Sequence, residues 1–460
     1  MIDFNFLEIN ILDDYQILHQ TLKSILPFAN HNSLISELIN RIGSECKLVV
    51  IEYPYRDFDF SSVYSTFYSK KHMEVSKDCI RLHLFTSKEL ENKFYIGNIV
   101  VRDSRVSSMG RAILLPKYLM QVDISYTVMS LFKSHIMGKE FTIETFPWMS
   151  QDTDIAICAH VAVWSINNYY ANKYPNYNLK SIAQIAEITP MYMGRKTPSH
   201  GLNLLQISEM FSKIGFYPLV LQKNQQNPEE FFQAVYSYIE SGIPMVAAMT
   251  QKEHAVAIVG HSKVNKEKIN KSKDSIIHTG DYLEDLIISD DNEFPFSKIS
   301  KSNNKYIFDD LDYVIVPLYE KMYINANIVY ERAKAIINSK ILSIDEQVVV
   351  RVYITSARSL KREILNDNNM NSALKSIILR LHTPQFIWCV DISTKDEYFY
   401  EKTSAKIIID STAGTYENDP WLLMHDKEKV IWKHNQKIYT EEETINAYNM
   451  YKNNLREIKR

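Results

Sequence analysis

The chain has 460 residues, 45% apolar and 23% charged, with a formal net charge of −3. That length admits two to four domains at about 100–200 residues each. The near-neutral charge removes any global electrostatic case for nucleic acid or an anionic membrane as a partner.

Four cysteines, Cys46, Cys79, Cys158 and Cys389, stand far apart with no CxxC pair. Neither a disulfide framework nor a zinc site follows from that spacing, and no metal or cofactor is expected. The opening "MIDFNFLEINILDDYQ" has no basic region leading into an apolar run. No apolar run approaches the ~20 residues of a membrane span. The expectation is a cytoplasmic protein with free thiols.

Residues 1–145 begin with a helical stretch, "DDYQILHQTLKSILPFANHNSLISELINRIG". The strand-like runs "CKLVVIEYPY", "IRLHLFTS" and "YIGNIVVRDS" follow, which reads as an α+β module with antiparallel pairing. Arg102 and Arg111 lie in and just after the last run and are expected to pair with nearby acids.

Residues 146–320 form a second module. Its helix "ICAHVAVWSINNYY" is apolar at almost every position up to Trp164, so it is buried on most sides. Thr153 or Asp154 is the expected N-cap. Cys158 falls in the first turn, where unpaired amides and the positive end of the helix dipole favour a thiolate. "PMVAAM" and "HAVAIVG" read as two buried strands joined by a short polar turn, with His254 opening the second. The lysine-rich stretch 262–285 reads as a solvated loop. Next, "LIIS" reads as a strand ending in Asp290 and Asp291, either of which can orient the imidazole. Ahead of the cysteine, Gln151 can donate to an oxyanion together with the Cys158 N–H. His160, His261, Trp164 and Tyr169 are assigned to packing.

Residues 321–460 form a third α+β module. Helices are expected at "NIVYERAKAIINSK", "SARSLKREILND" and "MNSALKSIILRLH". Strands are expected at "EQVVVRVYIT", "QFIWCVDIS", "EYFYE" and "AKIIIDST", and the tail from Thr440 reads as a capped helix. Cys389 and Asp410 are read as structural.

Gln151, then Cys158 at a helix start, then "SGIP", "HAVAIVG" and "LIISDD" make an ordered set over residues 146–320. This order resembles the papain-like cysteine peptidase superfamily, and within it the C39-like bacteriocin-processing branch. The resemblance implies a helix packed on an antiparallel sheet as a central peptidase domain, flanked by the two α+β modules. It also implies a catalytic Cys158–His254–Asp290 triad with Gln151 at the oxyanion hole, cutting a peptide or isopeptide bond. Protein or peptide substrates and a regulatory protein partner are then expected, the flanking modules selecting between them. Acyl transfer by the same residues, as in transglutaminase-like relatives, is an alternative. Ala159 and His160 rather than glycine follow the cysteine, which keeps a catalytically silent binding domain as a further alternative.

Overall fold

The computed structural model describes residues 2–459 apart from 73, 121–123, 152–156, 192–200, 303, 345–346, 415 and 418. The fold is α+β. Among the described residues, three large sheets carry it, and each is tied to the next by strands that leave their own sequence neighbourhood.

The first sheet runs Asp3–Glu8, Leu48–Tyr55, Cys79–Phe85, Tyr95–Val101, Met109–Leu114 and Trp148–Met149, with every neighbour antiparallel. The second runs Tyr217–Gln222, Tyr313–Leu318, Met245–Met249, His254–Ser262, Asp285–Ser289, Ser297–Ser300 and Tyr306–Ile307. Only its last pair is parallel. Ile124–Val128 pairs with the far end of the His254–Ser262 strand, and Leu455–Lys459 pairs with Ile124–Val128. The third sheet orders Ile276–His278, Val348–Ser356, Phe386–Ser393, Ala405–Asp410, Trp421–His425, Lys429–His434 and Lys437–Glu442. Boundaries at 145 and 320 are therefore crossed by strands in both directions.

The cores follow the same pattern. One apolar cluster joins Leu82, Ile99 and Trp148 to Val163, Trp164 and Ile166 of the Cys158–Lys173 helix. A second joins Ile258, Ile288 and Val314 to Val350, Val390 and Ile407. The cysteine helix lies across the His254–Ser262 strand, and its residues Ala159–Tyr170 are all buried. A helix apolar on every face needs cover on every side, and the first sheet and the second supply it.

Three expectations are corrected. The tail is not a helix: Lys437–Glu442 forms a hairpin with Lys429–His434, and Leu455–Lys459 is a strand. Asn435 and Gln436, at φ 48° and 62°, make the two-residue turn whose twist suits a hairpin. "EYFYE" is not a strand, because Thr394 caps a short helix, Lys395–Phe399, by accepting from the Glu397 N–H. The stretch 262–285 is not a solvated loop. Its Lys266–Lys271 helix buries Ile269, and Ile276–His278 pairs in parallel with Val348–Val350. Ile269, Ile277 and Leu283 are fully or almost fully buried, so a few apolar residues outweigh the surrounding lysines.

Candidate active site

Ile157 is extended (φ −105°, ψ 174°), so the helix begins at Cys158. Thr153 and Asp154, the expected caps, lie outside the described residues. The cap position belongs instead to Ile157, whose N–H is accepted by His160 Nδ1 at 3.4 Å. His160 Nε2 donates to Thr189 Oγ1 at 3.0 Å, and burial holds this imidazole neutral, its pKa lowered to about 4. His160 thus fastens the helix start and is spent on structure. Cys158 is half-buried, whereas Cys46, Cys79 and Cys389 are buried. Burial pushes the Cys46 thiol up to about 11 and the Cys389 thiol to about 12.

Met249 pairs with His254 across a tight turn of the second sheet, and Glu253 takes a left-handed conformation (φ 48°) to close that turn. His254 therefore enters the sheet at a fixed angle, on the strand beneath the cysteine helix. Its Nε2 lies 2.9 Å from Asp290 Oδ1. The Cys158 side chain lies close enough to the imidazole to favour its protonated form. With Nε2 committed to Asp290, Nδ1 is the nitrogen left for another partner. Burial by itself would strip the proton from this ring. The hydrogen bond to Asp290 and the nearby Cys158 side chain, then the charges of Asp290 and Asp291, overcome burial and raise the His254 pKa to about 10.

Asp290 follows the Asp285–Ser289 strand, next to His254–Ser262 in the sheet. It is fully buried. Oδ1 also accepts from the Asn292 N–H at 3.0 Å, and Oδ2 accepts from Tyr306 Oη at 3.0 Å, with Lys305 Nζ 3.6 Å away. Burial opposes its charge, yet the hydrogen bond and charge of His254, the Asn292 amide and Lys305 lower its pKa to about 2. Asp291 Oδ1 is 3.8 Å from His254 Nε2, and no donor reaches either of its buried oxygens. Burial, with the neighbouring Asp290 charge, raises its pKa to about 7. Of the two candidate acids, Asp290 is the one hydrogen-bonded to His254.

Gln151 Nε2 donates to Asn292 Oδ1 at 2.7 Å, so its amide is tied to the loop that carries Asp290. Its carbonyl accepts from Arg102 Nη2 at 2.7 Å, and the same nitrogen reaches Ser150 Oγ at 3.0 Å. Among the described residues Arg102 therefore pairs with Ser150 and the backbone ahead of the cysteine helix and not with an acid. Arg111 does meet acids, Asp57 at 3.1 Å and Asp59 at 4.0 Å. Asp59 Oδ1 accepts from Trp164 Nε1 at 2.9 Å and from the Ile182 N–H at 3.0 Å, fixing the helix from the other side.

Sequence reasoning missed Tyr306, Asn292, Trp148 and Lys305. The Tyr306 ring stacks 5.8 Å from His254 at 28°, and Trp148 Nε1 donates to the Asp290 carbonyl. Asn292 is local to Asp290, two residues on, whereas Tyr306, Lys305 and Trp148 reach it only because separate strands converge. Compared with known proteins, the chain matches no family model, no curated protein and no solved structure. Among the described residues no helix is long and apolar enough to cross a membrane.

Proposed function

We propose that the chain is a cysteine peptidase, cutting a peptide or isopeptide bond in a protein or peptide through Cys158, His254 and Asp290. The observation that carries this reading is a half-buried thiol at the start of the helix packed on the His254 strand, near an imidazole whose Nε2 meets a buried carboxylate at 2.9 Å. That is the arrangement of an activated nucleophile, a base and a group orienting the base.

In this reaction His254 takes the Cys158 proton as the sulfur attacks the carbonyl carbon. The C=O pair moves to oxygen, where the Cys158 N–H and the Gln151 amide donate to the developing oxyanion. Collapse breaks the C–N bond, and the leaving amine takes the proton from His254. A water then gives a proton to His254 and attacks the thioester. The carboxylic acid departs and the thiol is regenerated. Asp290 holds the ring throughout and balances its charge. A reducing compartment such as the cytoplasm suits a chain with four free cysteines. The flanking sheets select the substrate or a regulatory partner in this reading.

The test is digestion of a proteome-derived peptide library by the full chain and by Cys158→Ala. New termini made by the wild type and absent from the variant support a peptidase. New amide linkages in place of free acids redirect the reading to acyl transfer. Identical digests from both proteins overturn it.

A further inference from the structure

The Asp291 carboxyl is the least satisfied polar group of the site. Its side chain is 2% exposed, both oxygens lack a donor, and Oδ1 points at His254 Nε2 from 3.8 Å. A buried carboxylate left without donors is costly. Two things can satisfy this one: a proton shared with the adjacent Asp290 carboxylate, or a cation. Lys305 does not serve, because its ammonium is held by Glu293 and Asp290 Oδ2.

One ligand atom each from His254, Asp290 and Asp291 lies within 4.8 Å of the others. Zinc binds imidazole nitrogen and carboxylate oxygen at about 2.0–2.2 Å, which sets tetrahedral ligands about 3.3 Å apart. The His254 Nε2 distances to Asp290 Oδ1 and Asp291 Oδ1, 2.9 and 3.8 Å, bracket that spacing. One imidazole and two carboxylates form a borderline-hard donor set suited to zinc, and its two negative charges balance one divalent ion. No sequence motif announces the set, since His254 comes from a different strand.

We propose that His254, Asp290 and Asp291 bind a zinc ion that holds the Cys158 thiol inactive; the inhibitory part rests on the peptidase reading of the same residues. The ion takes the Nε2 lone pair and displaces the Asp290 hydrogen bond. The ring proton is then confined to Nδ1, the nitrogen that serves the sulfur in the peptidase reading. In that tautomer His254 donates to Cys158 and has no site left for its proton. Removing zinc restores the carboxylate–imidazole–thiol line.

The test is calorimetric titration of the chelator-stripped full chain with zinc chloride, alongside iodoacetamide labelling of Cys158. One equivalent of zinc is expected, with labelling slowed about tenfold or more at saturation and restored by chelator. Asp291→Asn should weaken zinc binding about tenfold or more, while Cys158→Ala retains it. Cobalt substitution gives a second readout independent of variant folding: a ligand-field spectrum without a sulfur-to-metal charge-transfer band. The absence of one-equivalent binding, or binding lost in Cys158→Ala and kept in Asp291→Asn, overturns the zinc site. Zinc binding as expected on a protein whose Cys158 ignores His254 leaves the metal site standing and removes the peptidase reading.

Discussion

His254 Nε2 stands 2.9 Å from Asp290 Oδ1 and 3.8 Å from Asp291 Oδ1, so two successive acids reach one ring nitrogen unequally. Successive residues of a strand point to opposite faces. Both acids reach the same ring because the strand ends at Ser289 and the chain turns there. The unequal sharing separates the two acids energetically.

Asp290 accepts from His254, Tyr306 and the Asn292 amide, whereas Asp291 accepts from no donor. Asp290→Ala should therefore lower stability by about 3–5 kcal/mol, and Asp290→Asn by about 1–3 kcal/mol. Asp291→Ala removes an unsatisfied buried acid and should be neutral or stabilising. Urea midpoints at pH 7 check the order. Equal losses at the two positions would contradict the division of roles.

Cys158 alone among the four thiols is partly exposed, and it lies near an imidazole. Iodoacetamide at pH 7 should modify it first, with Cys46, Cys79 and Cys389 labelled only on unfolding. His254→Ala should slow Cys158 labelling by about tenfold or more, through loss of the imidazole that holds its proton. Peptide mass spectrometry over time reads both. A Cys158 rate indifferent to His254→Ala would falsify the nucleophile assignment.

Asp59 supplies a pH-dependent prediction away from the site. Burial, then the Asp57 charge, raises its pKa from 3.8 to about 7. The folded chain keeps this proton up to about pH 7, while the unfolded chain releases it near 3.8. The unfolded state thus binds fewer protons in that window, and wild-type stability from this group falls as pH rises through it. Asp59→Asn does not titrate and can still accept from Trp164 and Ile182 through Oδ1. Its stability relative to wild type should climb by about 1 kcal/mol per pH unit between pH 4 and 7, then level off. Denaturant midpoints at four pH values measure the slope; a difference that shrinks with pH rejects the buried neutral acid.

Gly260 sits where the His254–Ser262 strand meets Ile124–Val128, and a Cβ there would lie 2.0 Å from the Tyr126 carbonyl oxygen. The contact is with backbone, so the strands themselves must part. Gly260→Ala should cost about 2–3 kcal/mol and speed amide exchange across 124–128 and 455–459. Unchanged exchange in both segments would show that the pairing is looser than the geometry requires.

The sequence by itself determined the local chemistry. The apolar run after Cys158 could only be a buried helix, and its start put the thiol among free amides. "PMVAAM" and "HAVAIVG" could only be buried strands, with His254 at the entry of the second. Periodicity and composition are local properties, and these elements follow from them. Much of the third module was legible for the same reason, and the tail was misread because its acids and Thr440 imitate a helix start while Asn435–Gln436 supplies a hairpin turn. Only the tertiary structure decided which acid serves His254, because the choice depends on how the chain turns after Ser289 and on donors from Tyr306 and Asn292. It alone placed Arg102 on the Gln151 backbone and tied the Gln151 amide to Asn292. It also buried Ile276–His278 beside a strand more than seventy residues later. Apart from Asn292, two residues from Asp290, these partners are distant in the chain, and no local pattern encodes the sheet register that brings them together.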